Sequence, residues 1–427
     1  MTKDNYSNTT LNQLQKHFLK RPYRVHGALF LIFILQGFAH ASPREILQGL
    51  RAIITGPDIL VTDYIYTGGL GAAFVNVGLA GLLTIGVFVL AKHEPVGLTM
   101  GTLGLVTGFA FFGKNPLNML PIILGGYFYS KFTSTPYKNC VLPGVLATCL
   151  APAVTVLIYV QHVPRALGVG LGIGIGIFIG FIMNPLAAAM KRSYEDFNLY
   201  NVGFASGVLG LCLFAVYRNL GVDFELLALW SRGYNLQIGL FLAILSGYLI
   251  ICGWLSTNKR RPIKELLNPD VPGHDYFTAY AEESYISMGV LGLGCLAFMW
   301  AVRGEYSGPV IGAILSVVGF GAFGKALGSG ASLVAGAMLA AVVSWLITGE
   351  AFNSPGFLVA ALFSTCLSPI PKRYGAFWGI VCGFVHLSLA TFVGLFHGGM
   401  NLYNNGFAGG LAAIMLLPVI RFFAKEK

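Results

Sequence analysis

Long apolar runs recur along the whole 427-residue chain. Several reach the roughly 20 residues that an α-helix needs to cross the hydrocarbon layer of a bilayer. No segment alternates apolar and polar residues over a strand's length, as a membrane β-barrel would. Because only helices and closed barrels satisfy the backbone inside lipid, the runs predict an all-α polytopic membrane protein of about 14 membrane segments, some of them re-entrant. The runs are 26–42, 77–92, 99–113, 116–130, 139–160, 166–190, 202–218, 236–256, 286–302, 307–323, 326–348, 355–371, 375–396 and 402–420.

The charged residues are few and unevenly placed. They make up 10% of the sequence, and the mean hydropathy is +0.72, whereas soluble proteins carry roughly 25% charged residues. The net charge of +10 would allow nucleic-acid binding, but the basic residues cluster in short loops, which is typical of the cytoplasmic side of a membrane protein. We therefore expect the partner to be the lipid bilayer and not a nucleic acid. We expect the protein to lie in the cell (inner) membrane with both termini cytoplasmic. The clusters are Lys16 to Arg24, Lys191–Arg192, Lys259 to Lys264, Lys372–Arg373 and Arg421 to Lys427.

Neither a metal site nor a catalytic set is recognisable. The seven cysteines include no CxxC pair and lie mostly inside apolar runs, where cysteine behaves as a small buried hydrophobic residue. The sequence contains no HExxH, no phosphate-binding loop and no nucleophile elbow. We expect no cofactor, no metal, no catalytic residue and no enzymatic activity.

Four short segments of the first half recur in the second half in the same order. The clearest pair is NLYNVGFASG (198–207) and NLYNNGFAGG (401–410), identical at eight of ten positions. The others are GFAFFGK with GFGAFGK, FVNVGLAG with YISMGVLG, and TCLAP with TCLSP. Collinear matches predict a duplicated unit. The predicted divisions are a cytoplasmic segment (1–25), a first transmembrane repeat (26–220), a connecting loop (221–235), a second transmembrane repeat (236–422) and a cytoplasmic tail (423–427).

The charge pattern predicts that the two repeats are inverted relative to each other. The basic loops near 191–192 and 372–373 belong inside, and the loop with Asp223 and Glu225 belongs outside. Each repeat then crosses the membrane an odd number of times: seven, or five if 99–130 forms a re-entrant hairpin. Inverted repeats are typical of secondary transporters, whose substrate site lies near the midplane between the repeats.

Two lysines interrupt apolar, glycine-rich stretches at matching positions. Lys114 lies in AFFGKNPLN and Lys325 in AFGKALGSG. Asn115 and Asn118 in the first copy, and Ser329 in the second, can cap a half-helix that begins at mid-membrane. The free N–H groups of such a helix end attract anions, and a neighbouring lysine strengthens the field. We predict these five residues to bind substrate; the alternative is that both lysines lie at hairpin turns and extend to the lipid headgroups.

The two NLYN segments are a second candidate site. Their asparagines and tyrosines offer uncharged donors and acceptors, which suit a small polar solute. The alternative is structural, because asparagine caps helices and tyrosine anchors them at the membrane interface. The residues predicted to bind substrate are Asn198, Tyr200, Asn201, Asn401, Tyr403 and Asn404.

The FGKNP and NLYNxGFAxG segments resemble those of a bacterial family of duplicated integral membrane proteins known as a domain of unknown function. This resemblance covers the whole chain and implies a duplicated membrane protein without naming an activity. The NLYN segments are also distantly similar to the LYG-(Y/F)-NG stretch of urea channels, which are inverted duplications with a membrane-buried half-helix in each repeat. That similarity implies a pore for a neutral solute, whereas the lysines depart from it, so no site residue is assigned from it.

The sequence as a whole favours a membrane transporter of a small polar or anionic solute, with the path at the interface of two inverted repeats. A passive urea-like channel for a neutral solute is the alternative within transport. A membrane-embedded enzyme and a structural membrane protein are the alternatives outside it. The substrate, the coupling ion and the oligomeric state stay open at this stage, with a homo-oligomer among the alternatives.

Overall fold

The computed structural model describes residues 21–56, 58, 62–160, 163–222, 228–257, 265 and 274–424. This part of the chain is almost entirely helical and contains no β-strand. The helices of the first half are α1 (Pro22–His40), α2 (Pro43–Thr55), α3 (Tyr64–Leu90), α4 (Gly97–Phe109), α5 (Pro116–Phe132), α6 (Tyr137–Leu146), α7 (Ala151–Tyr159), α8 (Arg165–Lys191) and α9 (Asn201–Asn219). Those of the second half are α10 (Asn235–Ser256), α11 (Tyr276–Ala279), α12 (Ala281–Ala301), α13 (Gly308–Gly319), α14 (Leu327–Thr348), α15 (Pro355–Phe363), α16 (Pro369–Tyr374), α17 (Ala376–Ala390) and α18 (Asn404–Phe423).

Many of these helices have the length and composition of membrane spans. Within the described ranges, nine helical segments are long and apolar enough to cross a bilayer, and four further apolar helices are shorter. Large apolar side chains such as Leu35, Leu236 and Trp300 lie exposed on the outside of the fold, where contact with lipid would cover them. The chain is therefore a multi-pass membrane protein whose described part is helical, as the apolar runs predict. The number of complete crossings stays a prediction.

Helix α2 is absent from the predicted segments. It alternates apolar and charged residues with helical spacing, and Ser42 and Glu45 form a capping box at its beginning. Its apolar face packs on α3, with Gly49 against the backbone of Gly68. A search for long apolar runs misses such a helix because half of its surface is polar.

The two halves contain the same helix pairs. α1 packs antiparallel on α3, and α10 packs antiparallel on α12. α5 runs parallel to α8, and α14 runs parallel to α17. Glycines make these contacts close; a Cβ on Gly180 would lie 1.8 Å from the carbonyl oxygen of Ile122, and one on Gly336 would lie 2.0 Å from that of Ile380. Small residues are what membrane helices use to approach closely.

The short helices α4 and α13 pack antiparallel across the boundary between the halves. Their backbones approach closely, since a Cβ on Gly108 would lie 2.4 Å from the carbonyl oxygen of Gly312. An aspartate from the opposite half caps each helix. Asp63 accepts the N–H of Gly308 at 2.9 Å, and Asp275 accepts the N–H of Gly97 at 2.8 Å.

The NLYN segments also connect the two halves. The N–H of Leu199 donates to the carbonyl of Cys366, and the N–H of Leu402 donates to that of Cys149, both at 3.0 Å. The two cysteines lie in buried 3₁₀ turns, Ala147–Leu150 and Ser364–Leu367. Each NLYN segment thus crosses to the turn of the other half, and α9 then packs on α18.

Several predicted features lie outside the described residues. They are the basic positions 16–20, 259–264 and 425–427, the acidic pair Asp223 and Glu225, and most of the N-terminal segment 1–25.

Candidate functional site

Both lysines lie in turns between a short helix and the helix that follows it. Lys114 lies between α4 and α5, and Lys325 between α13 and α14. A glycine precedes each lysine and takes a left-handed conformation, with φ of 81° at Gly113 and 87° at Gly324. Glycine adopts this conformation without a steric penalty. The shared sequence GK therefore gives both turns the same local shape.

Both lysine side chains are buried, each with a relative exposure of 1%. Lys325 Nζ donates a hydrogen bond to the Tyr200 hydroxyl and lies 4.5 Å from the centroid of that ring. Lys114 Nζ lies 5.2 Å from the centroid of the Phe109 ring. None of the ion pairs in the described ranges includes either lysine. The hairpin alternative requires both lysines to extend to the surface, and neither side chain does so.

An aromatic cluster lies between the two lysines. The Tyr200 and Tyr403 rings are 4.7 Å apart, centroid to centroid. Phe109 packs on Tyr403 at 5.5 Å, and Phe320 packs on Tyr200 at 4.7 Å. These four rings, together with Phe363, form what we call the tyrosine cluster. The cluster therefore connects Phe109, the ring beside Lys114, with Tyr200, the ring beside Lys325.

The first asparagine of each NLYN segment shapes the segment. The side-chain oxygen of Asn198 accepts the N–H of Tyr200 at 3.0 Å, and that of Asn401 accepts the N–H of Tyr403 at 3.1 Å. These Asx-type bonds hold the chain before each helix and place both tyrosines in the cluster. Among the described atoms, the hydroxyl of Tyr403 and the side-chain nitrogen of Asn401 are buried without a hydrogen-bond partner.

Three other predicted site residues have local partners. The Asn201 side chain accepts the N–H of Val202, and the Ser329 hydroxyl donates to the carbonyl of Ala326, the residue that precedes α14. Asn404 donates to the carbonyl of Ala390 and contacts His397 Nε2 at 3.0 Å. These contacts do not join the three residues to either lysine.

Asn115 and Asn118 form a separate cluster with Asp58. They cap α5, because the Asn115 side chain accepts the N–H groups of Leu117 and Asn118. Their amide nitrogens point at the Asp58 carboxylate, from Asn118 at 3.1 Å and from Asn115 at 3.4 Å. The side-chain amide groups of both asparagines therefore have a carboxylate of the protein as a partner.

Sequence reasoning missed Asp58 and its other partners. The carboxylate also accepts the hydroxyl of Thr155 at 2.8 Å and that of Tyr64. A signal exists: PDILVTDY (57–64) and PDVPGHDY (269–276) share the pattern PDxxxxDY. Asp270, the counterpart of Asp58 in this pattern, lies outside the described residues.

Two cavities lie at opposite ends of the segment formed by α15 and α16. One, of about 300 Å³, is lined by Phe112, Glu350, Leu402 and Asn405 among others. The other, of about 420 Å³, is lined by charged residues that include Asp196, His274 and Lys372. Burial lowers the pKa of His274, and the positive charge of Lys372 lowers it further.

Each cavity ends beside one lysine turn. Leu402 lines the first cavity and packs on Gly113, where a Cβ would lie 2.4 Å from its Cδ2. Lys372 lines the second cavity and donates to the carbonyl of Gly324 at 3.1 Å. The tyrosine cluster thus lies between two cavities, with a buried lysine toward each.

Comparison with protein families matches residues 42–219 and 260–422 to the family described as "Protein of unknown function (DUF1576)". The chain belongs to this family. The domain is found twice in the chain, in agreement with the predicted duplication and with the resemblance of its motifs. No curated protein and no solved structure matches the chain. The looser similarity to urea channels is not shown by these comparisons.

Proposed function

We propose that this DUF1576 protein transports a small polar or anionic solute across the cell membrane, along a path between two inverted repeats. The observation that carries the proposal is the burial of Lys114 and Lys325, without a described carboxylate partner, at either side of the Tyr200–Tyr403 pair. An ionisable side chain inside a membrane protein is costly and marks a functional site by default.

The contacts between the halves support inversion. α4 and α13 pack antiparallel, and the capping by Asp63 and Asp275 is reciprocal. So are the hydrogen bonds from Leu199 and Leu402. Reciprocal contacts of this kind arise when two copies of a unit meet around a two-fold axis. An axis in the membrane plane would place Lys114 and Lys325 toward opposite faces, with the site at the axis.

The chemistry of the site suits an anion. Each ammonium group offers three hydrogen-bond donors, and a positive charge surrounded by apolar side chains attracts an anion more strongly than it would in water. The Tyr200 and Tyr403 hydroxyls add uncharged donors between the lysines. A solute crossing the cluster would pass from one ammonium group to the tyrosines and then to the other.

The two cavities support alternating access. Leu402 and Phe112 line the 300 Å³ cavity, and Leu402 packs on Gly113. Leu199 packs beside the Gly324 turn in the same way. We infer that these apolar side chains separate the site from water at either face and move apart in turn during transport.

The test is flux into liposomes that contain the purified protein, followed by stopped-flow light scattering. The solutes are formate, acetate, nitrate, bicarbonate, urea and glycerol. We expect flux of at least one anion, and its loss in the double variant Lys114→Met/Lys325→Met. The matched control is Lys131→Met, which removes an exposed lysine of α5.

The other outcomes separate the alternatives. Flux of urea or glycerol that the double variant retains would support a passive channel for neutral solutes and contradict the role of the lysines. If no solute moves, the assay is repeated with a proton or sodium gradient. Absence of gradient-driven uptake as well would contradict transport and leave a structural or enzymatic role.

A further inference from the structure

We propose that a third cavity, beside Lys325, binds the carboxylate of a single long-chain fatty acid that enters from the bilayer. This cavity has a volume of about 360 Å³ and lies between α12, α14 and α15. Small-molecule sites typically have volumes of about 300–1,000 Å³. The inference does not depend on solute flux, because it concerns binding at a cavity that leads away from the tyrosine cluster.

The wall of the cavity is apolar, as an alkyl chain requires. It is formed by Leu291 and Phe298 of α12 and by Val334 and Met338 of α14. Gly294 of α12 also lines the cavity and packs closely on Leu327, since a Cβ there would lie 2.6 Å from Leu327 Cδ1. The hydrophobic effect that holds alkyl chains in the bilayer would also favour an alkyl chain in this cavity. The apolar wall alone therefore gives no preference for one lipid headgroup over another.

The mouth of the cavity faces lipid. Ala331 and Ala335 line the cavity and are exposed on the outside of α14, one of the helices apolar enough to cross a bilayer. Leu327, with a relative exposure of 38%, borders the mouth nearer Lys325. A molecule already dissolved in the bilayer can therefore reach the cavity without passing through either of the other two cavities.

Lys325 supplies the preference for an acid. It lines the cavity, and its ammonium group uses one of three donors on Tyr200. No other hydrogen bond or ion pair of Lys325 occurs with a described residue. Beside it, α14 begins at Leu327 without a side-chain cap, so its first N–H groups add positive potential. A carboxylate would accept hydrogen bonds from the ammonium group and complete the pairing.

The first half does not offer the same site. The helix that follows Lys114 is capped by Asn115 and faces the Asp58 carboxylate, and this negative charge disfavours an acid. Lys114 lines none of the three cavities described above. The fatty-acid site is therefore expected at Lys325 alone, which makes Lys114 a control.

The experiment uses the full-length protein in phosphatidylcholine vesicles and hexadecanoic acid with a diazirine near its chain end. After illumination, labelled peptides are identified by mass spectrometry. We expect labelled peptides from α12 and α14. Unlabelled hexadecanoate should reduce this labelling, and hexadecan-1-ol should not. Labelling should fall about tenfold or more in Lys325→Met, as for other losses of one partner of a buried charge pair, and stay unchanged in Lys114→Met.

A second variant protects the test against a folding defect in Lys325→Met. Ala331→Phe fills the mouth and leaves Lys325 in place, so it should also lose the labels. Ala297→Phe, on the exposed side of α12 and outside the cavity lining, should keep them. Three results would each overturn the proposal and make the cavity an ordinary lipid contact. They are labelling by a diazirine hexadecanol equal to that by the diazirine acid, full labelling of Lys325→Met, and competition by phosphatidylglycerol equal to that by hexadecanoate.

Discussion

At the scale of single residues, the two lysines have equivalent positions and different surroundings. Lys325 has a hydroxyl partner in Tyr200 and a cavity beside it, whereas Lys114 lies against the Phe109 ring. The ring is a weaker partner, since a cation–π contact contributes roughly 0.5–2 kcal/mol. Each buried lysine has lost its contacts with water. In the transport path that we propose, a bound solute therefore compensates for more of this loss at Lys114, which has the weaker protein partner, than at Lys325.

The first prediction concerns how the two lysines act together. If one solute must pass both, Lys114→Met and Lys325→Met will each reduce anion flux about tenfold or more, and the double variant will be no slower than the slower single variant. Residues that act as one unit are non-additive in this way. Liposome flux of the three variants measures it; reductions that multiply would instead indicate two independent effects.

A second prediction concerns Asp58, which is buried and accepts hydrogen bonds from Tyr64, Asn118 and Thr155. In Asp58→Ala these donors lose their partner, and each buried donor without one costs about 1–3 kcal/mol. We expect a clear fall in the melting temperature of the purified protein. Asp196→Ala, which removes an exposed ion pair with Lys191, should change it little. Equal effects of the two changes would show that Asp58 has no special structural role.

At the scale of helices, α4 and α13 meet across the boundary between the halves, and neither can cross a bilayer alone. They contain 13 and 12 residues, which is about 20 Å of helix against a hydrocarbon layer of about 30 Å. Their polar ends therefore have to lie within the protein. The caps from Asp63 and Asp275, and burial of the lysine turns, meet this requirement.

The third prediction tests the contact between these helices. A side chain at position 108 would meet the backbone of Gly312 at 2.4 Å, and backbone cannot move aside as a flexible side chain can. Gly108→Val should therefore destabilise the protein by about 1–3 kcal/mol or more, seen as a lower melting temperature and a lower yield of monodisperse protein. Gly174→Val is the control, because no atom lies within 4 Å of a Cβ there. Equal stability of both variants would contradict the close packing of α4 on α13.

At the scale of the whole molecule, local patterns predict the helices and the two lysine turns well. Hydropathy alone indicates spans, and the GK pairs mark turns whose glycines take positive φ. Partners distant in sequence are different. The motif FGKNP predicts that Asn115 and Asn118 cap α5, and the structure confirms it. Asp58 contacts these asparagines across 57 and 60 positions, so the carboxylate that they face cannot be deduced from the motif.

The arrangement of the NLYN segments shows the same limit. Their close similarity indicates a shared role, but either a solute path or packing would produce it. The structure brings Tyr200 and Tyr403 together and gives Asn201 and Asn404 local partners. Which members of a repeated motif meet depends on how the two halves pack, and a single sequence does not contain that information.

The most direct test of the proposed path is the reactivity of cysteines placed at the two lysine positions. In a variant without the natural cysteines, Lys114→Cys and Lys325→Cys are treated with a membrane-impermeant thiosulfonate from either side of the membrane. Glu350→Cys and Ser193→Cys, at exposed positions, serve as controls for the faces that the charge pattern predicts to be outer and inner. We predict that Lys114→Cys reacts from outside and Lys325→Cys from inside, each more slowly in the presence of the transported solute. Reaction of both from one side would contradict inverted repeats, and reaction of neither, while both controls react, would contradict a water-accessible path through the lysines.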